Sequence, residues 1–213
     1  MPLLLYCVAE ASAARNSGTG VASSLVACSE HSSLSIFYSE NQSTESWLKS
    51  PVRISAKEFH RVQQELFRSA AIIPFRFPTI LESHEKLRGH LSEHAARYRD
   101  LLHRFSNFAQ MDIALTQAAS PQAASSGGEY LRDRQARTHT LEQLAAEFRR
   151  KVGPLIADWR QRSTSNGLRC FALVERKRVE EFNERMKTAS VSPGVGARVS
   201  GPWPVAAFLD SKS

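Results

Sequence analysis

The sequence has little cysteine and no long apolar run. Its three cysteines, Cys7, Cys28 and Cys170, include no C-x-x-C pair, and an odd number cannot all be joined within one chain. We therefore expect free thiols in a reducing compartment rather than a disulfide framework. No apolar stretch approaches the roughly 20 residues of a membrane-spanning helix. The apolar start, residues 3–9, lacks the basic residues that open a secretory signal, so we interpret it as a strand and expect a cytoplasmic protein that binds no membrane.

The sequence also lacks the motifs of common catalytic and nucleotide-binding sites. It contains no phosphate loop, no GxGxxG and no GxSxG element. His90 and His94 stand four residues apart on a predicted helix, a spacing that can hold a metal ion, but no third ligand accompanies them. We interpret them as solvent-exposed, and His60 as a packed or capping residue, because no nucleophile pattern accompanies it. The sequence thus predicts no catalytic, cofactor-binding or metal-binding residues, and no enzyme.

Acidic residues are fewer than basic ones, and the net charge is +7 with a pI near 9.7. Such a charge permits contact with nucleic acid, acidic lipid or an acidic protein. The basic residues are nevertheless scattered through predicted helices opposite glutamates, which is typical of a solvated face. The densest cluster, residues 148–151, has no platform of strand-borne aromatic side chains for bases. A basic nucleic-acid-binding module is therefore the alternative hypothesis and not the favoured one.

What the chain does have is a strand-like stretch between two helical patterns, residues 71–80 (AIIPFRFPTI). Ile73, Phe75 and Phe77 alternate onto one predicted face. Two prolines within the stretch remove backbone donors, so a fully paired central strand is not expected. Arg76 lies among apolar neighbours and keeps its charge, so we predict that a carboxylate holds it. The stretch is either structural, with Arg76 reaching the surface, or a partner-facing edge.

The second half of the chain alternates strands and helices. The predicted elements are a strand at 111–116, an amphipathic helix from about residue 130 to Trp159, a strand at 168–174, a helix at 179–186 and a closing strand from 197. Gly153-Pro154 should kink the long helix or divide it. This order predicts an α+β protein whose second domain is a ferredoxin-like sandwich with one strand weak or missing. We place the boundary at Gln110, giving domains 1–110 and 111–213.

The closing strand contains Gly201-Pro202-Trp203-Pro204. Two prolines cannot donate to a ladder, so the chain must leave the sheet or lie on its edge here. We expect the Trp203 ring to pack beneath the long helix near Trp159, where it would close the core of the second domain. The alternative is a rigid, exposed anchor for a partner.

Four stretches in order along the chain resemble motifs of the gas vesicle protein GvpL/GvpF family. Residues 59–77 (FHRVQQELFRSAAIIPFRF) resemble that family's helix followed by a vLPxRFGT strand. Residues 128–131 (GEYL) resemble its GxxYL helix start. Residues 171–182 (FALVERKRVEEF) resemble its xYLVxxxxxxxF strand and helix, and residues 201–204 resemble its C-terminal GPWPPYxF.

Two of these motifs carry the candidate structural or partner-binding residues. Pro78 departs from the glycine of RFGT, and Val205 and Ala206 depart from the PY that follows GPWP. Eight positions match, and the resemblance makes them the candidate residues: Pro74, Arg76, Phe77, Thr79, Gly201, Pro202, Trp203 and Pro204.

The resemblance implies an accessory protein of gas vesicle formation. Such proteins are similar to chaperones or nucleation factors, bind the small hydrophobic shell protein and other accessory proteins, and are not known as enzymes. It also implies two α+β domains, the second a modified ferredoxin-like one, in a cytoplasmic protein associated with the gas vesicle. A small-ligand enzyme on a ferredoxin-like scaffold is a further alternative, but the sequence shows no convergent set of polar residues for it.

Overall fold

The computed structural model of the chain describes residues 1–11, 18–48, 51–117, 127–165, 167–188 and 194–209, which form two compact units. Met1–Asn107 and Pro204–Leu209 belong to the first unit, and Phe108–Trp203 to the second. Each unit combines helices with one antiparallel sheet, so the α+β class is confirmed. The boundary predicted at Gln110 places Pro204–Leu209 in the second domain instead. In this segment Val205 and Phe208 are buried, and Leu209 packs against the core of the first unit.

The first unit has a sheet in the order β2-β3-β1-β4, in which every neighbouring pair is antiparallel and β5 also pairs with β1. Its elements are β1 (Leu3–Glu10), β2 (Val26–His31), β3 (Leu34–Glu40), α1 (Glu45–Leu48), α2 (Val52–Ser69), β4 (Ile72–Pro74), β5 (Ile80–Leu81) and α3 (His84–Phe105). Short 3-10 helices occupy Val21–Ser23 and Ala206–Phe208.

Strand β1 is buried on both faces, as its almost continuous apolar sequence predicts. On one face Leu5 joins a cluster with Leu91 and Leu102 of α3. On the other face the Tyr6 ring lies 5.0 Å from the ring of Phe59 on α2. The sheet is therefore covered by α3 on one side and by α2 on the other.

The second unit has a sheet in the order β7-β8-β6-β9, again antiparallel throughout. Its elements are β6 (Phe108–Gln117), α4 (Gly127–Val152), β7 (Ile156–Thr164), β8 (Gly167–Glu175), α5 (Val179–Lys187) and β9 (Val195–Trp203). The element order βαββαβ with this strand order is the ferredoxin-like arrangement. Of the GEYL stretch, Gly128 and Leu131 are exposed near the start of α4, and the side chains between them lie outside the described residues.

Strand β7 is the strand that the sequence analysis took to be weak or missing. The predicted helix to Trp159 was wrong beyond Val152, because Gly153-Pro154 ends α4 and a short 3-10 turn leads into β7. Ile156 and Trp159 are three residues apart, the spacing of one helix face, and this spacing led to the prediction that the helix continues. A register shift lies between them, and they pair with Val174 and Ala172, so both fall on one face of the strand.

The two helices of the second unit pack on one face of its sheet. Buried side chains of α4 and α5, among them Phe148 and Phe182, cover a face that carries Met111, Ile113 and Cys170. The opposite face carries the side chains that alternate with these along each strand. Among the helices that the structure describes, none combines the length and apolarity needed to cross a membrane.

Candidate functional site

The stretch predicted as one strand over residues 71–80 is divided into two short strands. β4 ends at Pro74, which pairs with Cys7, and pairing resumes at β5. Between them the Phe75 N–H donates to the Tyr6 carbonyl over 2.9 Å, and the Thr79 carbonyl accepts from the Leu5 N–H over 2.9 Å. The intervening residues leave the ladder as a loop, which we call the β4–β5 loop (residues 75–79). The prolines on either side of its apex lack the N–H that a continuous ladder requires.

The two phenylalanines of this loop do not share a face, contrary to the prediction. The Phe75 ring lies 6.2 Å from the ring of Tyr98 on α3. The Phe77 ring lies 5.3 Å from the ring of Phe59 on α2. The loop is thus held from both sides of the sheet by aromatic contacts, which favour such edge-to-face geometries.

Arg76 lies at the apex of the β4–β5 loop, and its side chain is exposed, as is Pro78. The Thr79 hydroxyl donates to the Arg76 carbonyl over 2.6 Å. This hydrogen bond restrains the backbone at the apex of the loop. The prediction of a carboxylate partner assumed that the Arg76 charge is buried, and that assumption was wrong. Exposure removes the burial argument for a carboxylate at Arg76, and the carboxylate partner itself stays a prediction.

A pair of histidines lies beside the loop on α3. Both rings are half-buried, so the expectation of solvent-exposed histidines was wrong. The His90 and His94 ring centroids are 4.5 Å apart, and His90 Nε2 is 2.8 Å from the Tyr98 hydroxyl. Burial lowers the pKa of His90, His94 acts in the same direction, and Glu93 opposes it. The described residues contain no group of three or more His, Cys, Asp or Glu side chains that could hold a metal ion.

The second candidate motif ends the edge strand β9. Gly201 has φ +132°, and a Cβ atom there would lie 2.9 Å from both the Gln110 carbonyl oxygen and the Met111 sulfur. A register shift in the β6–β9 pairing occurs at this point. Only glycine combines this dihedral angle with so close an approach of two strands. Pro202 is exposed on the sheet edge, where its missing N–H costs no ladder hydrogen bond. The expected edge position is confirmed.

Trp203 does not lie near Trp159, so the expected packing was wrong. The two residues are on β9 and β7, which form opposite edges of the sheet. Trp203 pairs with Gln110, on the face away from α4 and α5. Its side chain is half-buried, and its indole N–H is 3.4 Å from the Ser200 hydroxyl oxygen. The ring is therefore partly available to solvent.

A groove with a volume of about 790 Å³ lies between α5 and β9. Its apolar lining comes from Phe148 and Met186 on the helices and from Ala197 and Val199 on the strand. Gly201 also lines it, so the second motif borders the groove. Phe148 and Met186 are buried, whereas Ala197 is exposed and Val199 half-buried. The apolar floor therefore continues to the edge of the sheet without being covered by α5.

The sequence profile of the gas vesicle synthesis protein GvpL/GvpF family matches residues 2–210 of the chain. This match covers nearly the whole sequence. The chain belongs to the GvpL/GvpF family. The resemblance inferred from four short motifs is thereby confirmed.

Solved structures of GvpL/GvpF proteins share the fold. The crystal structure of the gas vesicle protein GvpF from Anabaena sp. PCC7120 superposes with a TM-score of 0.80 at 14% identity, covering 100% of this chain and 97% of that one. The crystal structure of gas vesicle protein GvpF from Microcystis aeruginosa gives a TM-score of 0.79 at 12% identity, covering 99% of both chains. No curated protein sequence matches the chain significantly.

The motif residues of this GvpL/GvpF protein fall into three groups. Pro74, Arg76, Phe77 and Thr79 lie in and beside one loop of the first unit. Gly201, Pro202 and Trp203 end an edge strand of the second unit, and the buried Pro204 begins the segment that belongs to the first unit.

Gln63, whose side chain fixes the β4–β5 loop, was not among the residues predicted from the sequence. Its amide nitrogen donates to the Tyr6 carbonyl over 2.7 Å and to the Phe75 carbonyl over 2.8 Å. Its amide oxygen is 3.2 Å from His60 Nδ1. Gln63 is only 4% exposed, and a polar residue inside a run of apolar helical positions was the available signal.

Proposed function

We propose that the protein is an assembly factor of the gas vesicle that binds the apolar surface of the shell protein before assembly and also binds other accessory proteins. Membership of a gas vesicle synthesis family supports the process, and the α5–β9 groove supports the mode of binding. On this proposal the protein acts in the cytoplasm by binding, as a chaperone or nucleation factor, and not by catalysis.

The observation that carries the proposal is the apolar floor of the groove at an open sheet edge. An unassembled shell subunit exposes apolar surface that must be covered to prevent aggregation. A helix with an apolar stripe fits such a groove by placing side chains at i, i+3, i+4 and i+7. Ala197 and Val199 are small enough to admit these side chains close to β9, and Phe148 and Met186 provide buried apolar contact beneath them.

The rim of the groove adds selectivity. Glu180, Glu184 and Lys187 of α5 line it. Lys187 lies 2.6 Å from Glu184, while Glu180 forms no ion pair with any residue that the structure describes. We expect the bound segment to carry a basic residue that meets Glu180, because charged rims set register more than affinity.

The experiment is a binding titration with purified shell protein. Ala197→Glu puts a charge over the apolar floor and should weaken binding by about tenfold, the effect of ~1.4 kcal/mol. Gln161→Glu is the matched control, because Gln161 is exposed on β7 at the opposite edge of the sheet. It should retain binding within about twofold. Equal binding by the two variants, both folded by circular dichroism, would exclude the groove as the shell-protein site.

The candidate motif residues divide between two roles in this proposal. Arg76 and Trp203 contact partners, since both are accessible and both stand on backbone that is tightly held. The others hold that backbone in place: Pro74, Phe77, Thr79, Gly201, Pro202 and Pro204.

Arg76→Ala should leave thermal stability nearly unchanged, since exposed charges contribute about 0–1 kcal/mol, and should weaken binding to an accessory protein. A variant that unfolds instead would assign Arg76 a structural role.

A further inference from the structure

The face of the second sheet opposite α4 and α5 carries three arginines in one line across the strands. In the register of the sheet Arg162 of β7 pairs with Arg169 of β8, Arg169 with Ala114 of β6, and Ala114 with Arg198 of β9. We call these three side chains the arginine row. All three are exposed. Three strand spacings of ~4.8 Å make the row about 14 Å long.

Within the part of the chain that the structure describes, carboxylates balance the charges of the arginine row only in part. Arg169 is held by Asp112, at 2.7 Å between Nη2 and Oδ2. Asp112 is nearly buried, and it also accepts from the Gln110 amide over 2.7 Å. The side chains of Arg162 and Arg198 form no hydrogen bond or ion pair with any part of the chain that the structure describes. Among the described residues, the row thus presents two guanidinium groups without a counter-charge, one on each side of a neutralised one.

We expect this arrangement to cost stability in the isolated protein. Like charges directly opposite each other on neighbouring strands repel, and Arg162 faces Arg169 in this way. Between Arg169 and Arg198 in the register, Ala114 contributes only a methyl group to this face. Guanidinium groups bind carboxylates through two parallel hydrogen bonds, which suits them to a line of acidic side chains.

We propose that the arginine row binds an acidic segment of a partner polypeptide, laid across the strands. Acidic residues at i, i+2 and i+4 of an extended chain span about 13–14 Å, which matches the length of the row. Single-stranded nucleic acid fits less well, because its bases need exposed aromatic surfaces. The aromatic ring beside the row, Phe171, belongs to a residue that is 9% exposed, and the Arg169 guanidinium lies 5.6 Å from its centroid. This surface is distinct from the apolar groove on the helical side of the sheet.

The test is fluorescence anisotropy with labelled deca-glutamate as the probe, at low salt where surface charges are little screened. The double variant Arg162→Gln/Arg198→Gln should weaken binding by about fivefold or more, through two lost ion pairs. The control Arg149→Gln/Arg150→Gln removes the same charge from exposed positions on α4 and should change affinity by less than about twofold. The single variant Arg198→Gln, which should lose about half of the effect, replaces the double variant if that variant fails to fold.

Three results would overturn the proposal that the arginine row binds an acidic segment. One is the absence of deca-glutamate binding to the wild-type protein at low salt. The second is an equal loss in the α4 control, which would mean that only net charge matters. The third is tighter binding of an oligouridine RNA that also depends on Arg162 and Arg198, which would assign the face to nucleic acid. An independent prediction concerns stability: Arg162→Gln should melt at the same or a higher temperature than the wild-type protein, and a clear decrease would contradict the repulsion argued above.

Discussion

The side-chain amide of Gln63 donates a hydrogen bond of 2.8 Å to the carbonyl oxygen of Phe75. This contact joins α2 to the β4–β5 loop at the point where the loop leaves the sheet. The second amide hydrogen goes to the Tyr6 carbonyl on β1, so one buried side chain positions three elements. The exposed Arg76 is therefore carried by backbone that is fixed from beneath, which is a requirement for a specific contact surface.

Gln63→Leu should destabilise the protein by about 1–3 kcal/mol. Leucine fills a similar side-chain volume, but the Phe75 carbonyl loses its buried hydrogen-bond donor. The neighbouring Gln64→Leu is the control, since the Gln64 side chain is half-buried and forms no hydrogen bond with the described residues. It should change stability by less than about 0.5 kcal/mol. Urea unfolding of both variants measures the difference. Equal stability of the two would show that the Gln63 hydrogen bonds contribute nothing net.

Much of the fold could be predicted from the sequence, because the spacing of apolar residues indicates which elements form and which of their faces are buried. The continuous apolar run of β1 and the stripe of α3, from Leu87 to Phe105, are both buried as their patterns indicate. Strand β7 was not predictable in this way. Its register shift brings Ile156 and Trp159 to one face and imitates a helical period.

The candidate sites were harder to predict than the elements. The sequence motifs located the β4–β5 loop and the end of β9, but not which side chains are accessible there. Arg162, Arg169 and Arg198 have no shared motif, and only the pairing register of four strands brings them into one line. Gln63 gave a weak signal, because a polar residue in a helix is ordinarily solvated and its acceptors come from distant segments.

Gly201→Ala should destabilise the second unit. At φ +132° a side chain is strained, and its Cβ would lie 2.9 Å from the Gln110 carbonyl oxygen. We expect a loss of about 1–3 kcal/mol, the usual scale for a strained backbone position. Gly89→Ala on α3 is the control: nothing lies within 4 Å of its Cβ position, so it should raise stability by up to about 1 kcal/mol. Thermal unfolding distinguishes them, and a neutral Gly201→Ala would refute the close approach of β9 to β6.

His90 makes the first unit sensitive to acid. Its pKa is lowered, chiefly by burial, from the ordinary 6.5 of a histidine. Between pH 6.5 and that lower pKa, the unfolded chain therefore binds a proton that the folded protein does not. Stability should therefore fall as the pH falls through this window. The effect should stay below about 1 kcal/mol, because solvent screens a half-buried ring.

His90→Gln should reduce this loss of stability at low pH, whereas His139→Gln, at an exposed position on α4, should not. Unfolding titrations with urea at pH 7 and below measure it, and an identical pH dependence of wild type and His90→Gln would contradict it.

Asp112 should impose the opposite pH dependence on the second unit. Burial raises its pKa above the ordinary 3.8, although the Gln110 amide and Arg169 act against the increase. From pH 3.8 up to that raised pKa, the folded protein therefore retains a proton that the unfolded chain has lost. The Asp112 contribution to stability accordingly declines as the pH rises through this window and is constant above it, with a slope of at most about 1.4 kcal/mol per pH unit.

Asp112→Asn isolates this contribution, because the amide oxygen still accepts from Gln110 and the half-exposed Arg169 remains hydrated. The wild-type free energy of unfolding, measured relative to that of Asp112→Asn, should decrease as the pH rises above 3.8. Asp158→Asn, whose side chain is 49% exposed on the same sheet, controls for the loss of one surface carboxylate and should show no such trend. A relative stability that instead increases with pH would mean that the ion pair with Arg169 outweighs desolvation.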